Sequence, residues 1–150
     1  MHAKEVQPTD VIYYSQITTL NKLNNILALR VDEKLKKEAS KQQIKILGPI
    51  QWNYYGTDGN PDTAFTLEIV FPVDRPGRDD EFKFKTLPSF KCISVIHKGS
   101  WLSIKDVYDN VIPQMHVEGL SLTGNCREIY SKIVGPASEE NITEVQVEYK

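Results

Sequence analysis

The side chain most suited to chemistry in this sequence is the carboxylate of Glu128, which lies in a stretch of β-forming residues. Because side chains of a strand alternate between its two faces, Cys126, Glu128 and Tyr130 share one face. Ile129 and Ile133 then point to the other face, which suits a core packed against helices. We therefore expect Glu128 and Tyr130 to face a cleft on the side of the sheet away from the helices.

The carboxylate of Glu128 has several possible roles at such a position. Burial among aromatic rings disfavours the charged form of a carboxyl group and raises its pKa, unless a partner compensates. The group then binds a cation, donates a hydrogen bond while neutral, or acts as an acid or a base. The alternative is an exposed strand glutamate paired with a neighbouring lysine or arginine, and strand spacing alone favours that alternative.

Aromatic side chains form the second candidate feature. They are Trp52 and Tyr54 on one strand face, Trp101 and Tyr108 on one helical stripe, and Tyr13 or Tyr14 in the first strand. Together with a carboxylate, aromatic faces make a cage for a flat or cationic organic molecule, through stacking and cation–π contacts. The alternative is an ordinary core, and periodicity by itself favours the core for the helical stripe.

The other reactive residue types indicate structural roles. His97 is interpreted as a hydrogen-bonding residue, because no serine or cysteine nucleophile has an evident partner for it. Cys92 and Cys126 lack the C-x-x-C spacing and fit small buried hydrophobic residues. The three histidines form no H-x-x-x-H pair, and no glycine loop of the phosphate-binding type is present. The sequence therefore predicts neither a metal nor a cofactor.

Composition narrows the class of protein. The chain has 150 residues, of which 40% are hydrophobic and 25% charged, which is typical of one globular domain. Its net charge of −2 lacks the basicity that drives nucleic-acid binding, and the basic stretch 34–37 is flanked by acidic residues, as on a solvated helix. Apolar runs are too short to cross a bilayer, and the start lacks the apolar region of a secretory signal. We expect a cytoplasmic protein without direct nucleic-acid or membrane binding.

The hydrophobic pattern predicts the same order of elements twice: strand, helix, strand, strand. The predicted strands are 6–14, 44–55 and 65–73, then 82–97 (interrupted at Pro88), 126–133 and 143–149. The predicted helices are about 18–39, capped by Thr18 or Thr19, and 101–115, capped by Ser100, kinked or shortened by Pro113 and followed by a stop at Gly119.

The two halves, about 5–75 and 80–150, are interpreted as internal repeats of a single domain, 1–150. Each half alone offers three strands and one helix, too small a core for comfortable independence. We predict an α+β fold in which two pseudo-symmetric β-α-β-β modules form one antiparallel sheet. Two helices cover one face of this sheet, and a ligand cleft lies on the other, since clefts are where ligands bind.

The order and spacing of five short segments resemble the GyrI-like small-molecule-binding family, the effector-binding domains of AraC-type and MerR-type transcription regulators. The segments are GPIQWNYY at 48–55, LEIVFPV at 67–73, HKGSW at 97–101, REIY at 127–130 and TEV at 143–145. The resemblance covers the chain from about residue 6 to residue 149. It implies a tandem pair of strand-helix-strand-strand modules around a central cleft, in agreement with the repeat.

The resemblance also implies roles for particular residues. The characteristic cleft glutamate of the family corresponds to Glu128, which favours a ligand-facing role over the paired surface glutamate. Aromatic cleft positions correspond to Tyr54, Trp101 and Tyr130, while Trp52 is added from strand alternation alone. Ligands of the family tend to be hydrophobic, often cationic, and bound with low selectivity. Regulators of this type carry a helix-turn-helix domain before the effector domain, for which this sequence has no room. A complete chain would then be a stand-alone sensor, sequestering protein or enzyme, and a piece of a longer chain would be a regulator domain.

Three functions follow, in order of preference. The first is a stand-alone protein that binds hydrophobic, possibly cationic small molecules through Glu128, with Trp52, Tyr54, Trp101, Tyr108 and Tyr130 around them. The second, implied by the resemblance, is hydrolysis of strained electrophiles such as cyclopropane-bearing toxins. Glu128 would then activate water and Tyr130 or Tyr54 would position the substrate, while alternation does not securely place Glu68 or Glu144 in the cleft. The third is binding of a protein partner, in the manner of gyrase inhibitors.

Overall fold

The computed structural model describes residues 1–150, which form three helices and eight strands. In chain order these are β1 (His2–Val6), β2 (Thr9–Thr18), α1 (Leu23–Leu27), α2 (Val31–Lys41), β3 (Gln51–Tyr55), β4 (Phe65–Pro72), β5 (Lys83–Leu87), β6 (Phe90–Lys98), α3 (Ile104–Val117), β7 (Leu122–Lys132) and β8 (Ile142–Tyr149). Single 3₁₀ turns, Leu20–Lys22 and Trp101–Ser103, lead into α1 and α3.

The strands form one antiparallel sheet in the order β1-β6-β8-β7-β3-β4-β2-β5. β3 and β7 pair at its centre, and equivalent strands of the two halves follow outwards on either side. The predicted α+β fold, with one antiparallel sheet shared by two modules, is confirmed. The first half has one strand more than predicted, because β1 precedes β2 and the two are separated by Gln7 and Pro8, whereas a single strand was expected at 6–14. The second half has its four strands as predicted, with the break at Pro88. Proline lacks the N–H that a strand ladder needs, which accounts for the break.

Two very short connections make the sheet curl. β1 pairs with β6 and β2 pairs with β5, so the first strand of each half joins the other half of the sheet. Only Gln7 and Pro8 separate β1 from β2, and only Pro88 and Ser89 separate β5 from β6. Three Cα–Cα steps span at most about 11 Å, so the opposite ends of the sheet must lie close together. The break predicted at Pro88 is therefore one of the two crossing points.

Both long helices pack against the same face of the sheet. Leu35 of α2 belongs to a buried cluster with Ile69 of β4, and Met115 of α3 belongs to a second cluster with Val145 of β8. These clusters lie under the two helices, on either side of the central strands. The predicted placement of the helices on one face is thus confirmed, and the space between them lies above β3 and β7.

The opposite face carries a buried polar row at the centre of the curled sheet. Glu68, Asn53, Arg127 and Gln146 stand directly opposite one another on β4, β3, β7 and β8. None of the four exposes more than 6% of its surface. The guanidinium of Arg127 lies 3.9 Å from the ring centroid of Phe90, at the β5–β6 crossing. Curling of the sheet therefore encloses this face, and no helix is needed to cover it.

The first predicted helix is divided in two. Arg30 has a left-handed backbone conformation with φ of 54°, which ends the helical segment of α1 and begins α2. Of the two predicted caps, Thr18 ends β2, and Thr19 occupies the N-cap position of the 3₁₀ turn before α1, but its side chain makes no capping hydrogen bond. The strand expected at 44–55 is also shorter, because β3 begins at Gln51, after Pro49.

The second helix follows the predicted signals more closely. Ser100 caps its 3₁₀ turn, as its hydroxyl oxygen accepts a hydrogen bond from the amide of Leu102 at 3.0 Å. Gly119, with φ of 78°, follows its end as predicted. Pro113 does not shorten it, since α3 continues through that residue to Val117.

A glycine in β7 attaches the β3–β4 loop to the second half of the molecule. Gly124 has φ of 85°, at an irregularity in the pairing of β7 with β8. Its carbonyl accepts hydrogen bonds from the amides of Gly56 and Thr57, at 3.1 and 2.9 Å, and from the Thr57 hydroxyl at 3.1 Å. This contact holds the loop against the central strands.

We expect Gly124→Ala to destabilise the protein by about 1–2 kcal/mol, because a left-handed conformation costs a residue with a Cβ about that much. The added Cβ would also lie 3.3 Å from the carbonyl oxygen of Thr57. Thermal unfolding should show a lower Tm for this variant. Gly135→Ala is the control, because a Cβ there meets no atom within 4 Å. Equal Tm values for the two variants would contradict this account of the loop attachment.

Candidate ligand-binding site

A cavity of about 1320 Å³ lies on the helix-bearing face, between α1 and α3. Its floor is formed by central strands β3 and β7, its walls by the two helices, and one end by the β3–β4 loop. This volume exceeds the roughly 300–1,000 Å³ of ordinary small-molecule pockets. The cavity is therefore large enough for a bulky organic molecule.

The cavity lies on a different face of the sheet from the predicted one. Glu128 and Tyr130 face the helices, whereas Ile129 lies in register with Glu144 on the opposite face. Ile133 follows the end of β7, is 51% exposed and lines the rim of the cavity. Alternation separates the two sets of side chains correctly, but it does not tell which face the helices cover. The expectation that Ile129 and Ile133 pack against the helices is wrong.

Glu128 is the centre of a hydrogen-bond network at the floor of the cavity. The hydroxyls of Tyr54 and Tyr130 donate to its Oε1 at 3.1 and 2.6 Å, and the hydroxyl of Tyr108 donates to its Oε2 at 2.6 Å. These tyrosines come from β3, β7 and α3. The carboxyl group is therefore held by both halves of the molecule, and it is only 6% exposed.

Burial and hydrogen bonding act in opposite directions on this carboxyl group. Burial raises the pKa of Glu128 above its usual value, while the three tyrosine hydroxyls and the nearby His97 lower it. Burial, together with the Glu128 charge, raises the pKa of Tyr54, Tyr108 and Tyr130 well above the usual value for tyrosine. The three hydroxyls thus remain protonated donors at neutral pH. No lysine, arginine or histidine nitrogen lies within 4.0 Å of the carboxylate.

Tryptophan rings stand beside this network. Tyr130 is in edge-on contact with Trp101 at 5.3 Å and with Trp52 at 6.4 Å between ring centroids. Tyr54 stacks on Phe65 at 5.6 Å. The indole N–H of Trp101 is buried and has no hydrogen-bond partner. Aromatic surface therefore lines the cavity around a carboxylate that has no basic side chain within 4.0 Å.

The structure brings together all six residues that the sequence analysis proposed for the site. Trp52, Tyr54, Trp101, Tyr108, Glu128 and Tyr130 all line the cavity. The alternative interpretation of Glu128, an exposed glutamate paired with a basic residue, is wrong. Tyr13 and Tyr14 do not line the cavity, since Tyr13 lies 4.4 Å from the Lys85 ammonium on the opposite face and Tyr14 packs edge-on against Phe82.

The remaining candidates have structural or peripheral positions. His97 Nε2 lies 3.0 Å from the carbonyl oxygen of Ser100, which confirms its role as a hydrogen-bonding residue. Glu68 and Glu144 lie on the face away from the cavity and form ion pairs with lysines.

Cys92 is fully buried as predicted, but Cys126 is half-buried and belongs to the cavity floor. Burial and the neighbouring Glu128 raise the pKa of the Cys126 thiol to about 12, so it is not a thiolate nucleophile at neutral pH.

Sequence reasoning missed the apolar wall formed by the first helical segment. Its members Leu20, Leu23, Ile26 and Leu27 line the cavity. The three-to-four spacing of Leu20, Leu23 and Leu27 is typical of the apolar face of a helix packed on a core. Spacing reports an apolar face, whether that face covers other side chains or an open cavity.

No group of three or more histidine, cysteine, aspartate or glutamate side chains is arranged to hold a metal ion. None of the helices has both the length and the apolar character that crossing a bilayer requires.

Comparison with known proteins identifies the fold. No family model matches the sequence, and no curated protein matches it either. Among solved structures, the C-terminal domain of EcmrR has a TM-score of 0.82 and 21% identity, over 99% of this chain and 96% of that domain. In an EcmrR–DNA complex the EcmrR chain has a TM-score of 0.82 and 20% identity. This chain covers 56% of that longer chain, so it spans about half the length of EcmrR.

Two further structures are similar over 99% of this chain. SAV2435, described as bound to tetraphenylphosphonium, has a TM-score of 0.64 and 14% identity, over 93% of that chain. A Listeria innocua protein described as a hydrolase has a TM-score of 0.57 and 12% identity, over 91% of that chain. The chain therefore has the fold of the GyrI-like effector-binding domains, as the resemblance in its sequence predicted.

The raised pKa of Glu128 predicts a pH-dependent effect of Glu128→Gln. A carboxyl group that binds its proton more tightly in the folded state stabilises the fold below its usual pKa. That contribution is lost as the pH rises through the raised folded-state value. Glutamine does not titrate, so the variant should gain stability relative to the wild type between pH 4 and pH 8, by on the order of 1 kcal/mol. Thermal unfolding of both proteins across this range measures the difference. A difference that does not change with pH would contradict the prediction.

Proposed function

We propose that this chain binds bulky hydrophobic cations in the cavity, with Glu128 as the anchor, and serves to sense or sequester them. The observation that carries this proposal is a carboxylate 6% exposed, with no basic side chain within 4.0 Å. An ionised carboxylate withdrawn from water is unfavourable unless it is paired. A cationic group that enters the cavity supplies the missing counter-charge, while the three tyrosine hydroxyls keep the carboxylate oriented.

The aromatic residues support the choice of a large organic cation over a small inorganic one. The rings of Trp52, Trp101 and Tyr130 line the cavity, and their faces are suited to cation–π and stacking contacts. The α1 wall is apolar, and hydrophobic contact is not directional. Low selectivity among hydrophobic cations follows from these two properties.

The similar structures are consistent with this proposal. SAV2435 is described as bound to tetraphenylphosphonium, a cation surrounded by four phenyl rings. EcmrR is described in a complex with DNA, and this chain covers 56% of it. We therefore include in the proposal an effector-sensing role, in which occupancy of the cavity is transmitted to a regulator. A protein partner and a cytoplasmic location remain predictions.

Glu128→Gln should weaken binding of tetraphenylphosphonium at least tenfold, because the neutral amide no longer compensates a positive charge, and tenfold corresponds to about 1.4 kcal/mol. Fluorescence of the cavity tryptophans during titration provides the measurement. An aryltrimethylammonium ion and its neutral tert-butyl analogue form a matched pair of ligands for the same experiment. Glu118→Gln is the control variant, since Glu118 is exposed beyond the end of α3. Equal losses for the charged and the neutral ligand would exclude the anchoring role.

Hydrolysis of strained electrophiles is the second candidate. The buried carboxylate and its neighbouring hydroxyls could orient a water molecule, and one similar structure is described as a hydrolase. We place binding first, because the three tyrosine hydroxyls already donate to the carboxylate oxygens that would have to accept a proton from the water. If the chain is a hydrolase, it should consume an electrophilic cyclopropane over time, and Glu128→Gln should lose this turnover. Mass spectrometry of the incubated compound decides between the two functions.

A further inference from the structure

A second, smaller cavity of about 290 Å³ adjoins the main one. The two cavities share Asp32, Ile50, Tyr130 and Ile133 in their linings. We call the smaller cavity the side groove. It lies beside Tyr130, the same residue that donates a hydrogen bond to Glu128 at 2.6 Å. Tyr130 is thus in contact with the anchoring carboxylate and also lines the groove.

Asp32 is the carboxylate of the main cavity whose side chain has no hydrogen-bond or ion-pair partner. Among the other three, Asp58 accepts two hydrogen bonds within its own loop, at 2.9 and 3.0 Å. Asp109 forms an ion pair with Lys105 at 2.9 Å. Glu128 accepts the three tyrosine hydroxyls. Asp32 is half-buried, and its side chain forms neither a hydrogen bond nor an ion pair.

The basic residues near Asp32 form no ion pair with it, although Lys36 also lines the side groove. Lys36, one turn further along α2, places its ammonium 5.6 Å from the ring centroid of Phe71. Arg30 pairs with Glu33 in the first turn of the helix. An acidic residue in that turn is favourable for the helix dipole, but this applies to Glu33 as much as to Asp32. Only Asp32 of these two lines a cavity, so the dipole does not account for its position.

We propose that Asp32 is a second cation subsite, and that the main cavity and the side groove together take elongated dications. One cationic group lies at Glu128 and the other at Asp32, with the connecting chain passing Tyr130. This inference rests on the proposed function, because it uses Glu128 as the first anchor. Joining two cationic groups in one molecule makes the second contact intramolecular, so a spacer of matching length raises the overall affinity.

The test uses bis-trimethylammonium alkanes with a series of polymethylene spacers, each compared with the alkyltrimethylammonium ion of the same chain length. Wild-type protein should bind the dication about three- to tenfold more tightly at a matching spacer length, since half-exposed charge contacts are modest. Asp32→Asn should abolish this preference, because it should weaken binding of the dication much more than binding of the monocation of the same chain length. Thermal unfolding of the variant establishes that it is folded.

Two further variants test whether the preference for dications depends on the charge at the side groove. Glu33→Gln removes the same charge from the same helical turn, but outside the cavities, and should keep the preference for dications. Lys36→Gln removes a positive charge from the groove and should strengthen dication binding. A purely structural role of Asp32 in α2 would produce neither the selective loss nor this selective gain.

The outcomes separate the inference from the proposed function. Monocation binding that depends on Glu128, with no preference for dications at any spacer length, would overturn the Asp32 subsite and leave the proposed function intact. If Asp32→Asn kept the preference for dications, the Asp32 subsite would also be overturned and the proposed function would stay intact. Dication binding that requires Asp32 but tolerates Glu128→Gln would support the subsite and remove Glu128 as the anchor. Failure of every cation to bind the wild-type protein would overturn both.

Discussion

Two connections of two residues each draw the opposite ends of an eight-stranded sheet together, and the rest of the architecture depends on this constraint. Gln7 and Pro8 on one side, and Pro88 and Ser89 on the other, force the sheet to curl. The curl encloses the polar row that includes Arg127 on one face. On the other face it leaves the two helices on separate halves of the sheet, with the cavity between them.

The carboxylate of Glu128 joins the two halves at the floor of that cavity. Its hydrogen bonds come from the two central strands and from α3, so a change in the spacing of the modules would disturb them. A buried carboxylate without a basic partner is costly for folding, whereas an apolar residue there would be neutral or better. Such a conflict between stability and local chemistry is expected at a functional site. Glu68 is also buried, but Lys85 pairs with it at 2.5 Å, so its charge is compensated and the argument made for Glu128 does not apply to it.

Local signals predicted much of the fold and of the site. Pro88 separates β5 from β6, and Gly119 follows the end of α3, both as predicted. Proline restricts the backbone at its own position and glycine allows it more conformations, so both signals are local. Pro8 is the same kind of local signal, since it lies between β1 and β2, where the sequence analysis predicts one continuous strand. The left-handed turn at Arg30 had no such signal, since arginine rarely adopts φ above zero and the hydrophobic spacing continues across it. The apolar spacing of α1 predicts a buried face, but spacing does not distinguish a face packed in the core from one that lines a cavity.

The sequence by itself determined which residues share a face. The two-residue period of a strand places Trp52 with Tyr54 and Glu128 with Tyr130, whatever the rest of the chain does. Only the tertiary structure decided that this face is the one covered by the helices, and that Tyr108 of α3 reaches the same carboxylate. The reason is that strand alternation is a local property, whereas the pairing of β1 with β6 and of β3 with β7 joins segments far apart in the chain. Those pairings set the curl, and the curl sets which face remains open.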